Sequence, residues 1–419
     1  MPEPAVQAPA WPAFDDGQVG VYLHVPFCER ICPYCDFAVV AARTIPPAEE
    51  DRYVAALERE LAGRRSDFAG RPLASLYFGG GTPSLFRPQS LARLIEAVRA
   101  AFPAAPSSAT GQASASAPAE VTLELNPSTV ELARLPAFRA AGIDRLSIGI
   151  QSFQDALLKR LGRAHRAPVA REAIRAARAA GFDNLSLDLI FALPEQTIEL
   201  LDRDLDELIE HRPEHVSTYE LTLEPGTPFG RAVERGRLPR CDEELAARMI
   251  EHVEARLGAE GYDRYEISSH AQAGRRSRHN ARYWQRRAVL GLGMGAHSFD
   301  PRTPAHPHGR RRANSRSLEG WLGAVAADPG GAGEVEALTP GTARGEAVFL
   351  ALRQREGLDA GLFEAEFGRP PRGFFAAEID AAVARGWLAE EAGGDVRLTR
   401  AGRLLADSVA ALFVEADGD

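Results

Sequence analysis

Cys28, Cys32 and Cys35 fall within eight residues, and the only other cysteine in the chain is Cys241. Thiolates are soft ligands, and three of them on one short loop suit an iron–sulfur centre. Three thiolates also leave one iron of a 4Fe-4S cluster without a protein ligand, so that a substrate or cofactor can bind there. The alternative is structural zinc, which wants four closed ligands. Three close cysteines cannot all pair as disulfides, and the opening residues carry no basic stretch followed by an apolar signal core. The thiols are therefore expected in a reducing, cytoplasmic compartment.

The cysteines follow an apolar run, Val19 to Val25, that reads as a strand. Further strands are expected at Leu73–Phe78, Val121–Leu125, Arg145–Ile150, Leu185–Ile190 and Val216–Leu221. Helices are expected between them at Glu49–Leu61, Gln89–Ala101, Leu132–Ala141, Val169–Ala180 and Ile198–Ile209. This βα repeat predicts an α/β protein with parallel strands. Polar residues gather after the strands: Gly79-Gly80-Gly81-Thr82-Pro83 after the second, Asn126-Pro127 after the third, Gln151-Ser152-Phe153 after the fourth, Leu193-Pro194 after the fifth. Barrels and open parallel sheets place catalytic loops at those strand ends.

The chain has 419 residues, 45% of them hydrophobic and 26% charged, which is too much for one ordinary core. The expected division is a flexible terminus over 1–18, a partial barrel over 19–230, an extension over 231–327 and a C-terminal unit over 339–419. Residues 103–120 are rich in Ala, Ser and Pro and read as a flexible insertion. Asp328–Glu336, rich in Gly and Ala, reads as a loose connection to the C-terminal unit. That unit, with helical runs at Ala343–Arg355 and Phe374–Arg385 and a strand at Val396–Thr399, is expected to be an α+β, winged-helix-like region. The net charge of −9 argues against nucleic acid as a partner, and no apolar stretch approaches the roughly twenty residues of a membrane helix.

The run from Tyr22 through His24, Pro26, Cys28, Cys32, Tyr34 and Cys35 to Asp36 and Phe37 resembles the opening motif of radical S-adenosylmethionine (SAM) proteins. More narrowly, it resembles the anaerobic coproporphyrinogen III oxidase family. The likeness continues through Gly79–Leu85, Glu124–Pro127, Arg145–Phe153, Leu161–His165, Asp188–Pro194, Tyr219–Thr227 and His279–Trp284, and so covers most of residues 19–300. It implies a partial parallel (β/α)6 radical-SAM barrel, a 4Fe-4S cluster on Cys28, Cys32 and Cys35, and SAM on the open iron. By the same likeness Tyr22, Gly79, Gly80, Gly81, Thr82, Glu124, Gln151, Arg163 and Asp188 bind cofactor. The glycine run would cradle the amino end of SAM, Arg163 would pair with its carboxylate, and Asp188 would take the ribose hydroxyls. The glycine run lacks the Gly-Lys-Ser/Thr ending of a phosphate loop. His24, alternating with apolar neighbours on the first strand, is expected near the cluster, with a buried hydrogen-bonded histidine as the plainer alternative.

The oxidase carries a fourth cysteine two residues beyond the third, and here Phe37 stands there. It also has a longer N-terminal extension. Both departures argue against coproporphyrinogen decarboxylation and resemble the haem-chaperone branch of the family. That branch shows His-Asn-x-x-Tyr-Trp, matched here by His279, Asn280, Tyr283 and Trp284. Imidazole can ligate haem iron and aromatic rings can stack on a porphyrin, although the same residues can be core anchors. The resemblance thus implies haem as a third cofactor and a haem-acceptor protein as partner, respiratory haemoproteins being one class. It also implies a reductant protein and at most peripheral membrane contact. The rival readings are an oxygen-independent coproporphyrinogen III oxidase and another radical SAM enzyme such as a methyltransferase.

Overall fold

A computed structural model describes residues 14–103 and 118–414. Six parallel strands lie side by side in chain order: β1 (Val19–Val25), β2 (Leu73–Gly80), β3 (Glu120–Leu125), β4 (Arg145–Gln151), β5 (Leu185–Phe191) and β6 (His215–Glu220). Helices α1 (Pro47–Arg64), α2 (Pro88–Ala101), α3 (Leu135–Ala140), α4 (Ala167–Ala179) and α5 (Ile198–Glu210) make the crossovers, and α6 (Glu243–Ala259) follows β6. Each long crossover helix has a narrow apolar stripe. On α2 it is Leu91, Leu94, Ile95 and Val98, all at most 1% exposed, at the spacing that puts side chains on one helical face.

The strands sort their side chains by period two. Val19, Val21, Leu23 and Val25 of β1 join the core shared with the helices, whereas Tyr22 turns to the other face and stacks on Tyr77 of β2, ring centroids 6.1 Å apart. Tyr22 and His24 thus point into the barrel, as their alternation predicts. The interior so formed is polar, and its groups bond one another.

The sheet continues past both ends of this barrel. Two short strands, β7 (Asp263–Arg264) and β8 (Ser269–Ala271), extend it antiparallel beyond β6. On the other side β9 (Val289–Leu292) pairs parallel with β1 and leads to antiparallel β10 (His297–Asp300), β11 (Arg310–Ala313) and β12 (Glu334–Ala337). The order is β12-β11-β10-β9-β1-β2-β3-β4-β5-β6-β8-β7. A buried hub ties the extension to α1. The Glu60 carboxylate accepts from the Gly293 amide at 2.8 Å, Trp321 Nε1 at 3.1 Å and Asn314 Nδ2 at 2.6 Å. Four residues on, Arg64 donates to Asp300 of β10 at 2.8 Å.

Helices Pro340–Leu352, Ala360–Phe367 and Arg372–Ala384, with the hairpin Leu388–Glu390 and Val396–Leu398, enclose a second core around Phe363, Phe375, Ile379 and Phe413. Arg286, with its side chain 1% exposed, clamps this unit by pairing with Glu346 at 2.9 Å and Glu366 at 2.8 Å.

Three expectations need correction. Asp328–Glu336 is not loose throughout: β12 begins at Glu334 and pairs with β11, an exposed edge held by its ladder whose acidic alternation hides it. The helix expected over Leu132–Ala141 is two short ones, Thr129–Leu132 and Leu135–Ala140, the second with a proline in its first turn. Residues 14–18 are anchored, because Asp15 pairs with Arg71 at 2.6 Å and Asp16 with Arg282 at 3.0 Å. The rest of the expected terminus, 1–13, and most of the expected insertion, 104–117, lie outside the described residues.

Arg64 is fully buried, and Asp67, its other carboxylate partner, is 31% exposed. Asp300→Asn should therefore cost about 3 kcal/mol by leaving a buried guanidinium short of countercharge. Urea unfolding of the two proteins measures this; equal midpoints would refute the hub.

Candidate cofactor site

The cysteine loop leaves β1 at Val25 and returns along a two-residue ladder, Phe27–Cys28 against Val40–Ala41. Its start is bonded to the end of β2: Gly81 donates to the Val25 carbonyl and Thr82 to that of Phe27, both at 2.8 Å. His24 Nε2 lies 2.7 Å from the Ala38 carbonyl on the returning arm, and its Nδ1 is 3.1 Å from the Tyr22 hydroxyl. Both ring nitrogens are thereby engaged, so His24 braces the loop from beneath.

A cavity of about 460 Å³ opens at these strand ends. Cys28, Cys32 and Cys35 line it, with Gly80, Gly81, Thr82, Glu124, Gln151, Arg163 and Asp188 from the expected set. Tyr22 and Gly79 do not reach it and belong to the barrel interior below. The glycines are required by protein neighbours as much as by any ligand. A Cβ on Gly79 would lie 2.8 Å from the Tyr22 ring, one on Gly80 2.5 Å from the His24 ring, and one on Gly81 2.7 Å from the Phe27 carbonyl.

Arg163 organises one wall. Its guanidinium reaches Cys32 Sγ at 3.7 Å, the Gly149 carbonyl at 2.9 Å and the Asn126 side chain. Asn126 in turn donates to Thr82 Oγ1 at 2.6 Å, and that hydroxyl lies 3.7 Å from Cys28 Sγ. Asn126 is absent from the expected set, and its place directly after β3 is the signal that could have included it. Gln151 ends β4 with φ of +67°, a left-handed conformation unusual for glutamine, and its buried Oε1 has no partner. Arg163 Nε is likewise buried without a partner. Tyr219, at the end of β6, and Phe37 complete the rim; Phe37 is 68% exposed.

Burial sets the charge state of the donors. It pushes the Cys28 thiol up to about 11 and raises Cys35, so without a metal these two stay protonated. Glu124 is moved to about 7 by burial, opposed by its bond from Tyr77 at 2.8 Å and reinforced by nearby Asp188. Asp188 is raised by burial and accepts from Ser147 at 3.0 Å and Ser186 at 3.1 Å. Among the described residues no three Cys, His, Asp or Glu side chains already converge on a single ion. Three thiols lining one cavity are a donor set that would suit a multi-iron group.

His279, Asn280, Tyr283 and Trp284 lie elsewhere. Their helix, α7 (Arg278–Trp284), packs against the opposite end of the strands: Arg282 covers Gly20, and the His279 amide donates to Glu120, the first residue of β3, at 3.3 Å. His279 is 1% exposed, with Nδ1 2.9 Å from the Ser75 hydroxyl and Nε2 3.2 Å from that of Tyr283. Its ring stacks on Tyr77 at 5.1 Å. In this arrangement both nitrogens are bonded within the protein, and the motif closes the bottom of the barrel.

Comparison with known proteins agrees with this architecture. Residues 22–208 match the Radical SAM superfamily and residues 338–405 the HemN C-terminal domain. The solved structure of coproporphyrinogen III oxidase (HemN) from Escherichia coli, a radical SAM enzyme, aligns with a TM-score of 0.78 over 95% of this chain and 90% of that one. At 23% identity, that likeness concerns fold alone. Fold and thiol loop together define a radical SAM protein. The chain is 32% identical over 393 residues to the Heme chaperone HemW of Bacillus subtilis, covering 94% of this chain and 98% of that protein. It is 35% identical over 394 residues to that of Mycobacterium tuberculosis, covering 93% of each. The chain belongs to the HemW family.

Glu124 binds its proton more tightly in the folded chain than in the unfolded one. Its contribution to stability is therefore full below about pH 4.5 and lost as pH rises through about 7. Glu124→Gln removes that loss, so between pH 5 and 8 the variant should give up less stability than wild type, by up to about 3 kcal/mol. Denaturant titrations at both pH values decide it, and parallel losses would contradict the assignment.

Proposed function

We propose that this protein is a haem chaperone, binding haem and passing it to an acceptor haemoprotein with the help of a SAM-bearing 4Fe-4S cluster. The observation that carries the proposal is the relationship to HemW over nearly the whole of both chains. Phe37 supports it, since the rival oxidase reading expects cysteine at that position. Cys28, Cys32 and Cys35 would hold three irons, and the cavity beside them would take SAM. Its unpartnered Gln151 Oε1 and Arg163 Nε await polar partners, and its carboxylates Glu124 and Asp188 can meet an ammonium and ribose hydroxyls. When bound, such a cluster can pass an electron to the sulfonium of SAM.

The chain's own residues do the rest. Arg163 places a fixed positive charge 3.7 Å from Cys32 Sγ. The raised thiols of Cys28 and Cys35 must lose their protons to bind iron, so cluster assembly should release protons and weaken in acid. No helix among the described residues is long and apolar enough to cross a membrane. We place the protein in the cytoplasm, with a reductant protein and a haem acceptor as partners and any membrane contact peripheral.

Two measurements test this. Cys32→Ser should lose the cluster's absorbance and its iron while keeping the far-ultraviolet dichroism of wild type; full iron content would refute the ligand set. The reconstituted protein with SAM and a strong reductant should bind haem and leave coproporphyrinogen III unchanged by chromatography. Appearance of protoporphyrinogen would make it the oxidase.

A further inference from the structure

Asp188 lines the cofactor cavity, and a chain of buried groups runs away from it. Ser186, two residues earlier on β5 and so on the same face, lies opposite His215, the first residue of β6. Ser186 Oγ is 3.1 Å from Asp188 Oδ1 and 2.8 Å from His215 Nδ1. His215 Nε2 is 2.8 Å from the Tyr265 hydroxyl, and that oxygen accepts from the Ser277 amide at 3.3 Å. Ser186, His215, Tyr265 and Ser277 are all buried.

The protons along this chain can be placed. Burial holds the His215 ring well below its ordinary value, so it is neutral and carries one proton. The Tyr265 oxygen accepts from the Ser277 amide, so the hydroxyl's own proton goes to His215 Nε2. Were the ring proton on Nε2, two N–H groups would face one hydroxyl whose proton had lost this partner. The ring proton is therefore on Nδ1, and Nδ1 donates to Ser186 Oγ. The Ser186 proton is then left for Asp188 or for Ser217 Oγ, 3.4 Å away, and the carboxylate is both nearer and the stronger acceptor. Every link donates toward Asp188.

Ser147 donates to the other oxygen, Oδ2, at 3.0 Å. Each oxygen thus receives a protein donor and keeps lone-pair capacity for a ligand's hydroxyls. We propose that His215 and Tyr265 are positioning residues for the cofactor: by committing the Ser186 proton to Asp188 they fix the carboxylate as an acceptor for the ribose hydroxyls. The assignment rests on the SAM reading and adds what sets Asp188 in place. The far end of the chain lies outside the six-stranded barrel. Ser277 caps α7, the Tyr265 carbonyl accepts from the Arg355 amide of the C-terminal segment at 3.0 Å, and Arg276, 5.2 Å from the centre of the Tyr265 ring, pairs with Glu356 at 2.8 Å.

The test uses the full chain with its cluster reconstituted. Labelled with 15N-histidine, wild type should show an exchange-protected Nδ1–H that vanishes in His215→Asn and so belongs to His215; a proton on Nε2 instead overturns the chain. Tyr265→Phe should leave that proton shared between the two nitrogens, and an unchanged Nδ1–H signal would remove Tyr265 from the assignment. Equilibrium dialysis with SAM gives the second readout. Leucine and asparagine have nearly the same shape and both give up the Tyr265 bond, but asparagine keeps an N–H where Nδ1 stood. His215→Leu should therefore bind SAM about tenfold more weakly and His215→Asn within about threefold of wild type, whereas a merely structural histidine would be replaced equally badly by both. Ser186→Ala, a small truncation, guards against a leucine variant that misfolds and should weaken SAM binding to a similar extent. Should these variants keep wild-type affinity, the positioning role falls and the SAM reading survives. Should wild type bind no SAM, that reading falls and takes the role with it.

Discussion

The site depends on the close approach of two neighbouring strand ends. Gly81 and Thr82, leaving β2, donate to the carbonyls of Val25 and Phe27, leaving β1, at 2.8 Å each. No side chain fits in that space, because a Cβ on Gly81 would lie 2.7 to 2.8 Å from backbone atoms of Pro26 and Phe27. These two bonds fix where Cys28 begins. His24 below and the Val40–Ala41 ladder then fix where the loop comes back. A flexible thiol loop thus becomes one wall of a cavity whose floor is the barrel's own polar interior.

That interior carries a continuous charge problem. Tyr77, Glu124, Ser147 and Asp188 face inward from successive strands, and burial lifts both carboxylates. They are tolerable because each accepts from hydroxyl or amide donors, and because protonation is available near neutral pH for Glu124. The same device recurs at Glu60, raised to about 7 by burial though three donors surround it. The protein accepts these costs where groups of different elements must be held in register. At the bottom, α7 closes the column with His279 and Tyr283.

Much of this was legible in the residues, and for stated reasons. Alternation on β1 and 3.6-residue stripes on α2 and α4 give element type, and polar residues after each strand mark the face that carries chemistry. Cys28, Cys32 and Cys35 declare a metal loop by spacing alone. Other features were hidden. Gln151 looks like an ordinary polar residue until its positive φ is seen, and β12 consists of exposed residues that only a neighbouring ladder makes a strand. Asn126 earns its place by touching Thr82 and Arg163, which are distant in sequence.

The two histidines show the limit most clearly. His279 sits in a motif whose residue types suit haem, yet a motif records which residues recur together and not which atoms are left over. Here Ser75 and Tyr283 use both of its nitrogens. His270 sits in no motif, on a three-residue strand among small and apolar neighbours, and would pass for core. Only the fold reveals that both of its ring nitrogens are buried without a partner and that Arg264 stands beside it across the ladder. Ligand sites are made by unmet bonding capacity, and that is a property of packing.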